Sequence, residues 1–173
     1  MGLGTLYYNW IDRPYYKDVS LELLVLNWII QRVFKVNNEI PFSVHFTSKL
    51  KGYENMILHP DIRLSIAISG NLYLMAFNKG KIEIQEKTII APNVVINNGN
   101  HDLLNRNIHS VKDIFIGKNC WIGANCVILG GTKLGENVTV AAGSVVNKEF
   151  PDNVVVAGSP AKIIKTCLLY TSD

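Results

Sequence analysis

Residues 116–151 read IGKNCW-IGANCV-ILGGTK-LGENVT-VAAGSV-VNKEFP when they are divided into groups of six. An aliphatic residue opens every group: Ile116, Ile122, Ile128, Leu134, Val140 and Val146. A period of six fits neither an α-helix nor an isolated strand, but it is a known repeat length of β-helices. We therefore predict a solenoid in which each group supplies one short strand and one corner, and three groups close one triangular coil.

Two further positions of each group are usually small. The second is mostly glycine or alanine, and we expect it to let the backbone turn at the corner. The fifth includes Cys120 and Cys126, which we interpret as core residues rather than nucleophiles. Because three groups make one coil, residues eighteen apart should stack one strand spacing (~4.8 Å) from each other. The pairs predicted are Ile116 with Leu134 and Ile122 with Val140.

The composition bounds the class of protein. The chain has 173 residues, of which 48% are hydrophobic and 18% charged, enough for one domain with a sizeable core. A net charge of +3 suits an anionic ligand but is too small to indicate nucleic-acid binding. There is no recognisable signal peptide and no apolar run of transmembrane length. With three cysteines, this indicates a reducing, cytoplasmic location.

Residues 1–40 form an N-terminal segment that precedes the repeats. Its second half, Leu21 to Val36, carries apolar residues at helical spacing, namely Leu21, Leu24, Val25, Trp28, Ile29 and Phe34. Asp18 or Ser20 could cap this helix. We expect the helix to pack on the end of the solenoid and cover an open edge. The alternative is a helix that makes weak contact with a membrane surface.

The solenoid domain is placed at residues 41–166. The step of six runs backwards, less regularly, from Ile96 to Ile90, Ile84, Asn78, Leu72 and Ile66. Between Ile96 and Ile116 the register breaks, because twenty residues separate them instead of eighteen. A solenoid coil has no slack, so we predict that residues 97–113 leave it as an inserted loop.

The last seven residues, CLLYTSD (167–173), need a separate interpretation. Back-translated, they resemble the transposon end that is used as a sequencing-library adapter. We therefore predict that this tail is not native and that the natural sequence is interrupted after about Thr166.

A resemblance to a known family covers Trp121 to Lys165, WIGANCVILGGTKLGENVTVAAGSVVNKEFPDNVVVAGSPAKIIK. This run resembles the sugar O-acetyltransferase branch of the hexapeptide-repeat acyltransferases, typified by maltose and galactoside acetyltransferases. The resemblance implies an all-β fold, a left-handed parallel β-helix with a short N-terminal helix and an inserted catalytic loop. It also implies transfer of an acetyl group from acetyl-CoA to a sugar hydroxyl, without a metal. The active unit implied is a homotrimer with sites shared between neighbouring subunits.

The same resemblance selects a catalytic base among the four histidines. His45 and His59 lie in irregular coils and are interpreted as structural, whereas His101 and His109 fall in the inserted loop. Imidazole, with an ordinary pKa near ~6.5, can take a proton from a hydroxyl at neutral pH. In the family the catalytic histidine follows an APNV turn at a spacing that matches His101, nine residues after Pro92. Asp102 or a backbone carbonyl could orient its ring.

The family's coenzyme-binding positions fall on Trp121, Ala124, Ala142, Asn147, Lys148, Lys162 and Lys165. The resemblance puts Trp121 beside the acceptor and the pantetheine arm, and the two alanines where backbone amides meet pantetheine. Asn147 replaces a threonine, and Lys162 and Lys165 replace two arginines that hold phosphates. A lysine lacks the bidentate geometry of arginine, so these departures affect how the phosphates are held.

The acceptor side is less defined. The segments NWIIQRVFKVNNEIPFSVHFTSKL and SIAISGNLYLMAFNKGKIEI resemble the beginnings of bacterial capsule and exopolysaccharide acetyltransferases. Four residues before or within the loop are candidates for binding the acceptor: Asn71, Tyr73, Asn78 and His109.

Two other functions remain open for such a solenoid. An N-acetyltransferase acting on an amino sugar nucleotide uses the same fold and base, and differs only in its acceptor pocket. A metal enzyme of the γ-carbonic-anhydrase type needs three histidines around zinc. Here only His101 and His109 lie close together in sequence, and the WIGANC run favours acyl transfer.

Overall fold

The computed structural model describes residues 14–102 and 104–167, most of which belong to a solenoid whose short strands form three sheets. Within these residues there are two α-helices, α1 (Leu21–Arg32) and α2 (Ile62–Ile68), and short 3₁₀ turns at Pro14–Tyr16 and Tyr53–Asn55. None of the described helices has the length and apolar character required to span a bilayer.

Each sheet has five short strands. In the first and third sheets each coil supplies one strand, whereas the second sheet has one strand from each of the four later coils and the additional terminal strand β17. The first sheet contains β1 (Lys49–Lys51), β3 (Tyr73–Met75), β6 (Val95–Asn97), β11 (Val127–Leu129) and β14 (Val145–Val146). The second contains β5 (Ile89–Ile90), β10 (Trp121–Ile122), β13 (Thr139–Val140), β16 (Val154–Gly158) and β17 (Ala161–Thr166). The third contains β2 (Met56–Leu58), β4 (Ile82–Ile84), β9 (Ile114–Ile116), β12 (Lys133–Leu134) and β15 (Glu149–Phe150). The neighbours are parallel except β16 and β17, which form an antiparallel pair at the end.

The aliphatic first position of each group fills the axis of the solenoid. Ile116 pairs with Leu134 and Ile122 with Val140, so both predicted stacks are confirmed. All four side chains are fully buried in one continuous core. Burying a side chain of this size contributes about 1.5–3 kcal/mol, which makes the axial column the main source of stability.

The corners are made differently from the prediction. Left-handed backbone occurs at the fourth position of five successive groups, with φ between 53° and 90°, at Asn119, Asn125, Gly131, Asn137 and Gly143. The second position is small for another reason: a Cβ on Gly117 would lie 2.4 Å from the carbonyl oxygen of Gly135 in the next coil. The small second residue therefore permits close stacking of coils, while asparagine or glycine makes the turn.

The corner asparagines also bind one another. Asn119 Nδ2 donates to Asn137 Oδ1 at 2.7 Å, and Asn137 Nδ2 donates to Asn153 Oδ1 at 2.8 Å. Asparagine thus supplies both the backbone conformation of the corner and a hydrogen bond between successive coils.

The earlier coils depart from the simple step of six. Ile96 pairs with Leu74 and Ile84 with Leu58, so Leu72, although buried, is not the stacking residue of β3. The first coil has α2 in place of a strand in the second sheet. There Ser65 Oγ accepts from the N–H of Ile90, and Ser69 Oγ donates to the Ile90 carbonyl. These two side chains satisfy the backbone hydrogen-bonding groups at the edge of β5.

Helix α1 is capped by Ser20, whose Oγ accepts from the N–H of Leu23 at 3.4 Å, and it ends four residues before the predicted limit. Its buried residues are Leu24, Asn27 and Gln31. Asn27 donates to Ala67 O and Gln31 donates to Phe42 O, each at 3.0 Å.

The apolar stripe predicted to pack is only partly buried. Leu24 lies in an apolar cluster with Ala67 of α2, whereas Trp28 is 53% exposed, and Val25 and Phe34 are also exposed. The helix therefore packs on the first coil through Leu24 and through its two amide side chains, which bind backbone groups there.

Candidate active site

The inserted loop is a β-hairpin that leaves the solenoid between the first and third sheets. Its strands, β7 (Gly99–His101) and β8 (His109–Val111), are antiparallel. In the next coil Ile128 pairs with Ile96 and Leu134 pairs with Ile116. Ile128 and Leu134 are six residues apart in sequence, whereas Ile96 and Ile116 are twenty apart, so the insertion adds 14 residues to this coil. We call residues 99–111 the histidine hairpin, because His101 and His109 lie directly opposite each other in its ladder.

The ring of His101 is oriented by a backbone carbonyl. His101 Nδ1 lies 2.7 Å from the oxygen of Arg106. Because a carbonyl only accepts, Nδ1 carries the proton in this contact, and Nε2 is left with a lone pair. The His101 side chain is exposed, so that lone pair is open to a substrate. A histidine held in this way is chemically suited to act as a general base.

Asp102, the other candidate for orienting His101, has a different task. Its Oδ1 accepts from the N–H of Asn105 at 2.9 Å and from that of Leu104 at 2.8 Å. These two hydrogen bonds lower the pKa of the Asp102 carboxyl. Arg106 Nη1 also donates to the Asp102 carbonyl oxygen at 2.9 Å. Asp102 therefore closes the tip of the hairpin and sets the position of the Arg106 carbonyl.

The hairpin rests on Phe77, which the sequence did not indicate. The rings of Phe77 and His109 are stacked, with centroids 5.6 Å apart and planes 26° apart. The His109 ring lies 4.6 Å from that of His101. A Cβ on Gly99 would lie 2.3 Å from the Phe77 ring, so glycine is required for the hairpin to approach it. Gly99 was the only available signal of this contact in the sequence.

Two cavities flank the histidine hairpin. The first, of about 510 Å³, we call the histidine cavity; among its lining residues are Asn97, Asn100, His101, Lys112 and Asn147. The second, of about 560 Å³, we call the Phe77 cavity; among its lining residues are Phe77, Asn78, Ile108 and His109. Amide groups and one ammonium group give the histidine cavity many donors and acceptors for hydroxyl groups.

The predicted coenzyme positions are spread over the solenoid. Asn147 joins His101 in the histidine cavity, and the neighbouring Lys148 extends its ammonium over the Phe150 ring at 5.4 Å. Ala124 and Ala142 lie one coil apart at the corner between the second and first sheets, where the Gly143 N–H donates to the Ala124 carbonyl. Lys162 and Lys165 are exposed on the terminal strand β17.

Trp121 is also separated from the histidine hairpin within one chain. It opens β10 in the second sheet, between Ile89 and Thr139, and is 54% exposed. The histidine hairpin leaves from the corner between the other two sheets, so one chain does not bring His101 and Trp121 together.

Of the four predicted acceptor residues, the structure brings two together. Asn78 and His109 both line the Phe77 cavity, where Asn78 Oδ1 accepts from Asn55 Nδ2 at 3.1 Å. Asn71 lies at a different corner and donates to Asn93 Oδ1 at 3.0 Å. Tyr73 is half-buried in the first sheet, beside Lys49 and Val95.

The remaining reactive groups have structural surroundings. Cys120 and Cys126 are buried, and burial raises the pKa of the Cys120 thiol to about 11 and also raises that of Cys126. Both are therefore core residues rather than nucleophiles. Among the described residues, no three His, Cys, Asp or Glu side chains are grouped so as to hold a metal ion.

Short parallel strands on three faces, with an inserted histidine hairpin, define a β-helical protein of the transferase type. Residues 113–148 match the family described as "Bacterial transferase hexapeptide (six repeats)". The chain belongs to this hexapeptide-repeat transferase family, and its fold is the left-handed parallel β-helix.

Two sequence relatives and one solved structure illustrate the similarity. The galactoside O-acetyltransferase of Escherichia coli is 34% identical over 125 residues, which cover 65% of this chain and 61% of the relative. The putative lipopolysaccharide biosynthesis O-acetyl transferase WbbJ of the same organism is 32% identical over 143 residues, 75% of this chain and 72% of the relative. The structure of a galactoside acetyltransferase in complex with coenzyme A has the same fold, with a TM-score of 0.60 and 23% identity over 90% of each chain. This chain thus spans about three fifths of the length of the galactoside enzyme of E. coli.

Proposed function

We propose that this protein transfers an acetyl group from acetyl-CoA to a hydroxyl of a sugar or polysaccharide precursor, with His101 as the general base. The observation that carries the proposal is the 2.7 Å contact between His101 Nδ1 and the Arg106 carbonyl, which in the neutral ring puts the proton on Nδ1 and the lone pair on Nε2. The cavity that His101 lines is rich in amide groups, as a site for a hydroxylated acceptor should be. Similarity to sugar O-acetyltransferases supports the same reaction.

The reaction is a direct transfer in which His101 moves one proton. Nε2 takes the proton of the acceptor hydroxyl as its oxygen forms a bond to the thioester carbonyl carbon. The tetrahedral adduct then collapses, the carbon–sulfur bond breaks, and the coenzyme thiolate leaves. The imidazolium returns its proton to that thiolate, so the base is regenerated in each turnover.

The active unit in this proposal is a homotrimer. Within one chain, His101 and Trp121 lie on different sides of the solenoid. Asn147 likewise lies on a different side from Lys162 and Lys165. A site that uses all of them forms when His101 and Asn147 of one subunit face Trp121, Lys162 and Lys165 of the next. The exposed apolar surface around Trp121 supports burial against a second copy. Sedimentation that detects a stable, active monomer would contradict this assembly.

The acceptor contacts follow from the same arrangement. Asn78 and His109 can reach an acceptor from the chain that supplies His101, because they line the adjoining Phe77 cavity. Asn71 and Tyr73 lie away from the histidine hairpin and can contribute only from a neighbouring subunit.

The outer face of α1 is proposed to make weak contact with a membrane surface, where lipid-linked acceptors reside. Its exposed apolar side chains include Trp28, and Phe34, 67% exposed, follows the helix. We also propose that the protein acts in the cytoplasm, where thiols such as those of Cys120 and Cys126 remain reduced. Co-sedimentation with anionic lipid vesicles that is unchanged in Trp28→Gln would contradict membrane contact.

The experiment that tests the proposal compares the wild type with His101→Ala and His101→Asn. Release of coenzyme A thiol is followed with a panel of sugars, sugar nucleotides and oligosaccharides as acceptors. Both variants should lose at least about 10² in kcat, because the base acts only in the transition state. Binding of acetyl-CoA, measured by calorimetry, should survive. The matched control is His59→Ala, a histidine that pairs with Asp61 and Glu86 on the surface.

Two outcomes would overturn this assignment. Near-normal turnover of His101→Ala would remove the base from His101. Acetylation of amino sugar nucleotides with no transfer to any hydroxyl would make the protein an N-acetyltransferase, which uses the same fold and base.

A further inference from the structure

The His109 ring contacts both the proposed base and a side chain of the solenoid. It is stacked on Phe77, with centroids 5.6 Å apart, and its centroid lies 4.6 Å from that of the His101 ring. The register of the histidine hairpin puts the two histidines side by side, because directly opposed residues of an antiparallel pair point to the same face. We propose that His109 is a positioning residue whose ring, backed by Phe77, holds the His101 imidazole in its working orientation.

The two histidines differ in how their nitrogens are held. His101 is anchored at Nδ1 by the Arg106 carbonyl. No group among residues 14–102 and 104–167 hydrogen-bonds a ring nitrogen of His109, and its recorded contacts are with the two neighbouring rings. A base needs a fixed tautomer, whereas a positioning ring needs a flat face. The contacts therefore assign the chemistry to His101 and the packing to His109.

The support under His109 is itself fixed to the coil. The N–H of Phe77 donates to Asn98 Oδ1 at 2.8 Å, and the Asn98 side chain is 1% exposed. Asn98 immediately precedes the hairpin, and Gly99 leaves room for the Phe77 ring. Phe77 is thus fixed to the coil. Because it contacts the His109 ring, and that ring contacts His101, it restricts the position of the His101 ring.

This inference rests on the proposed role of His101 as base, so its test needs a readout that is independent of turnover. Long-range ¹H–¹⁵N spectra of the full chain distinguish the two imidazole tautomers. In the wild type His101 should be in the Nδ1–H form, as the Arg106 contact requires. In His109→Ala the ring should lose this preference and show an average of both forms. In His109→Phe, which keeps a flat ring but has no nitrogen, the Nδ1–H form should return.

Kinetics should follow the spectra. His109→Ala is expected to lower kcat by about 10- to 100-fold, the effect of misplacing a catalytic group by about 1 Å, with an unchanged KM for acetyl-CoA. His109→Phe should restore kcat to within about threefold of the wild type, and the loss of the acceptor contact proposed for His109 should raise only the KM for the acceptor. Leu104→Ala, at the hairpin tip where the side chain is 99% exposed, is the matched control and should behave as the wild type.

A double-mutant cycle tests whether Phe77 and His109 act together as one stack, and the recovery in His109→Phe excludes simple unfolding of the hairpin. Phe77→Ala should reproduce the effect of His109→Ala, and the double variant should be no worse than either alone, because both remove one stack. Full activity and a wild-type His101 tautomer in His109→Ala would overturn the proposal. So would an inactive His109→Phe, which would give His109 a chemical role. If the wild type acetylates no acceptor, the proposed function fails, and the His101 tautomer in the two His109 variants still decides whether the ring is positioned by packing.

Discussion

Gly99→Ala tests whether the histidine hairpin must lie against Phe77 for the reaction to occur. The added Cβ would lie 2.3 Å from Phe77 Cδ2 and 2.7 Å from Cε2. Carbon atoms in contact prefer roughly 3.5–4.0 Å, so the hairpin or the ring must move by a little over ~1 Å. His101 is two residues further along the same strand and shares this displacement. A misplacement of about 1 Å can reduce turnover by up to about 10², or roughly 2.7 kcal/mol in activation free energy.

The expected signature is a loss of turnover without loss of the fold. The solenoid core lies outside the hairpin, so the free energy of unfolding should fall by about 1 kcal/mol or less. Turnover is measured at saturating acetyl-CoA, and amide ¹H–¹⁵N spectra locate the structural change. Shifts should be confined to the hairpin and the strand end near Phe77. Wild-type turnover together with an unmoved hairpin would refute the contact between Gly99 and Phe77, and with it the reasoning about His101.

Three other measurements address the coenzyme site, the core and the corners. Replacing Lys162 and Lys165 together by alanine should raise the KM for acetyl-CoA by up to about tenfold and leave kcat nearly unchanged. The rise in KM should become smaller as the salt concentration increases. A change in kcat alone would give the two lysines another role. Cys120, whose pKa burial raises to about 11, should resist alkylation at pH 8 until the chain unfolds, and rapid labelling of the native protein would contradict its burial. Because the folded state holds this thiol proton more tightly than the unfolded state, its contribution to stability is complete below about pH 9 and is lost as the pH rises through about 11. Asn137→Ala should lower the free energy of unfolding, measured in urea, by about 1–3 kcal/mol, and Asn137→Gly should lower it by less. Glycine keeps the left-handed corner (φ 56°) and loses only the asparagine hydrogen bonds. Equal losses of stability in the two variants would show that the backbone conformation is unimportant.

The period of six was sufficient to predict the solenoid and its stacked pairs. Each repeat adds the same short strand and corner, so local information propagates along the axis and puts Ile116 on Leu134 without knowledge of any distant contact. The sequence also predicted that the segment with His101 and His109 leaves the coil, because an insertion has no room inside it. It misjudged the corners: the glycines at the second position indicated turns, whereas the asparagines at the fourth position make them.

The tertiary structure alone decided which groups meet. The Arg106 carbonyl rather than Asp102 orients His101, because the turn at the hairpin tip uses the Asp102 carboxylate for its own backbone. Phe77 lies under His109 only because a hairpin folds back over an earlier coil, a relation that no local pattern contains.

Helix α1 shows the same limit of a periodic pattern. Its apolar stripe predicted the buried face, yet of that stripe only Leu24 is fully buried, Asn27 and Gln31 are buried beside it, and Trp28 is exposed. The first coil of a solenoid has no preceding coil to bind its backbone groups, and the two amide side chains bind the carbonyls of Ala67 and Phe42 in its place. The need to satisfy buried polar groups at that open end therefore outweighed the gain from burying an apolar face.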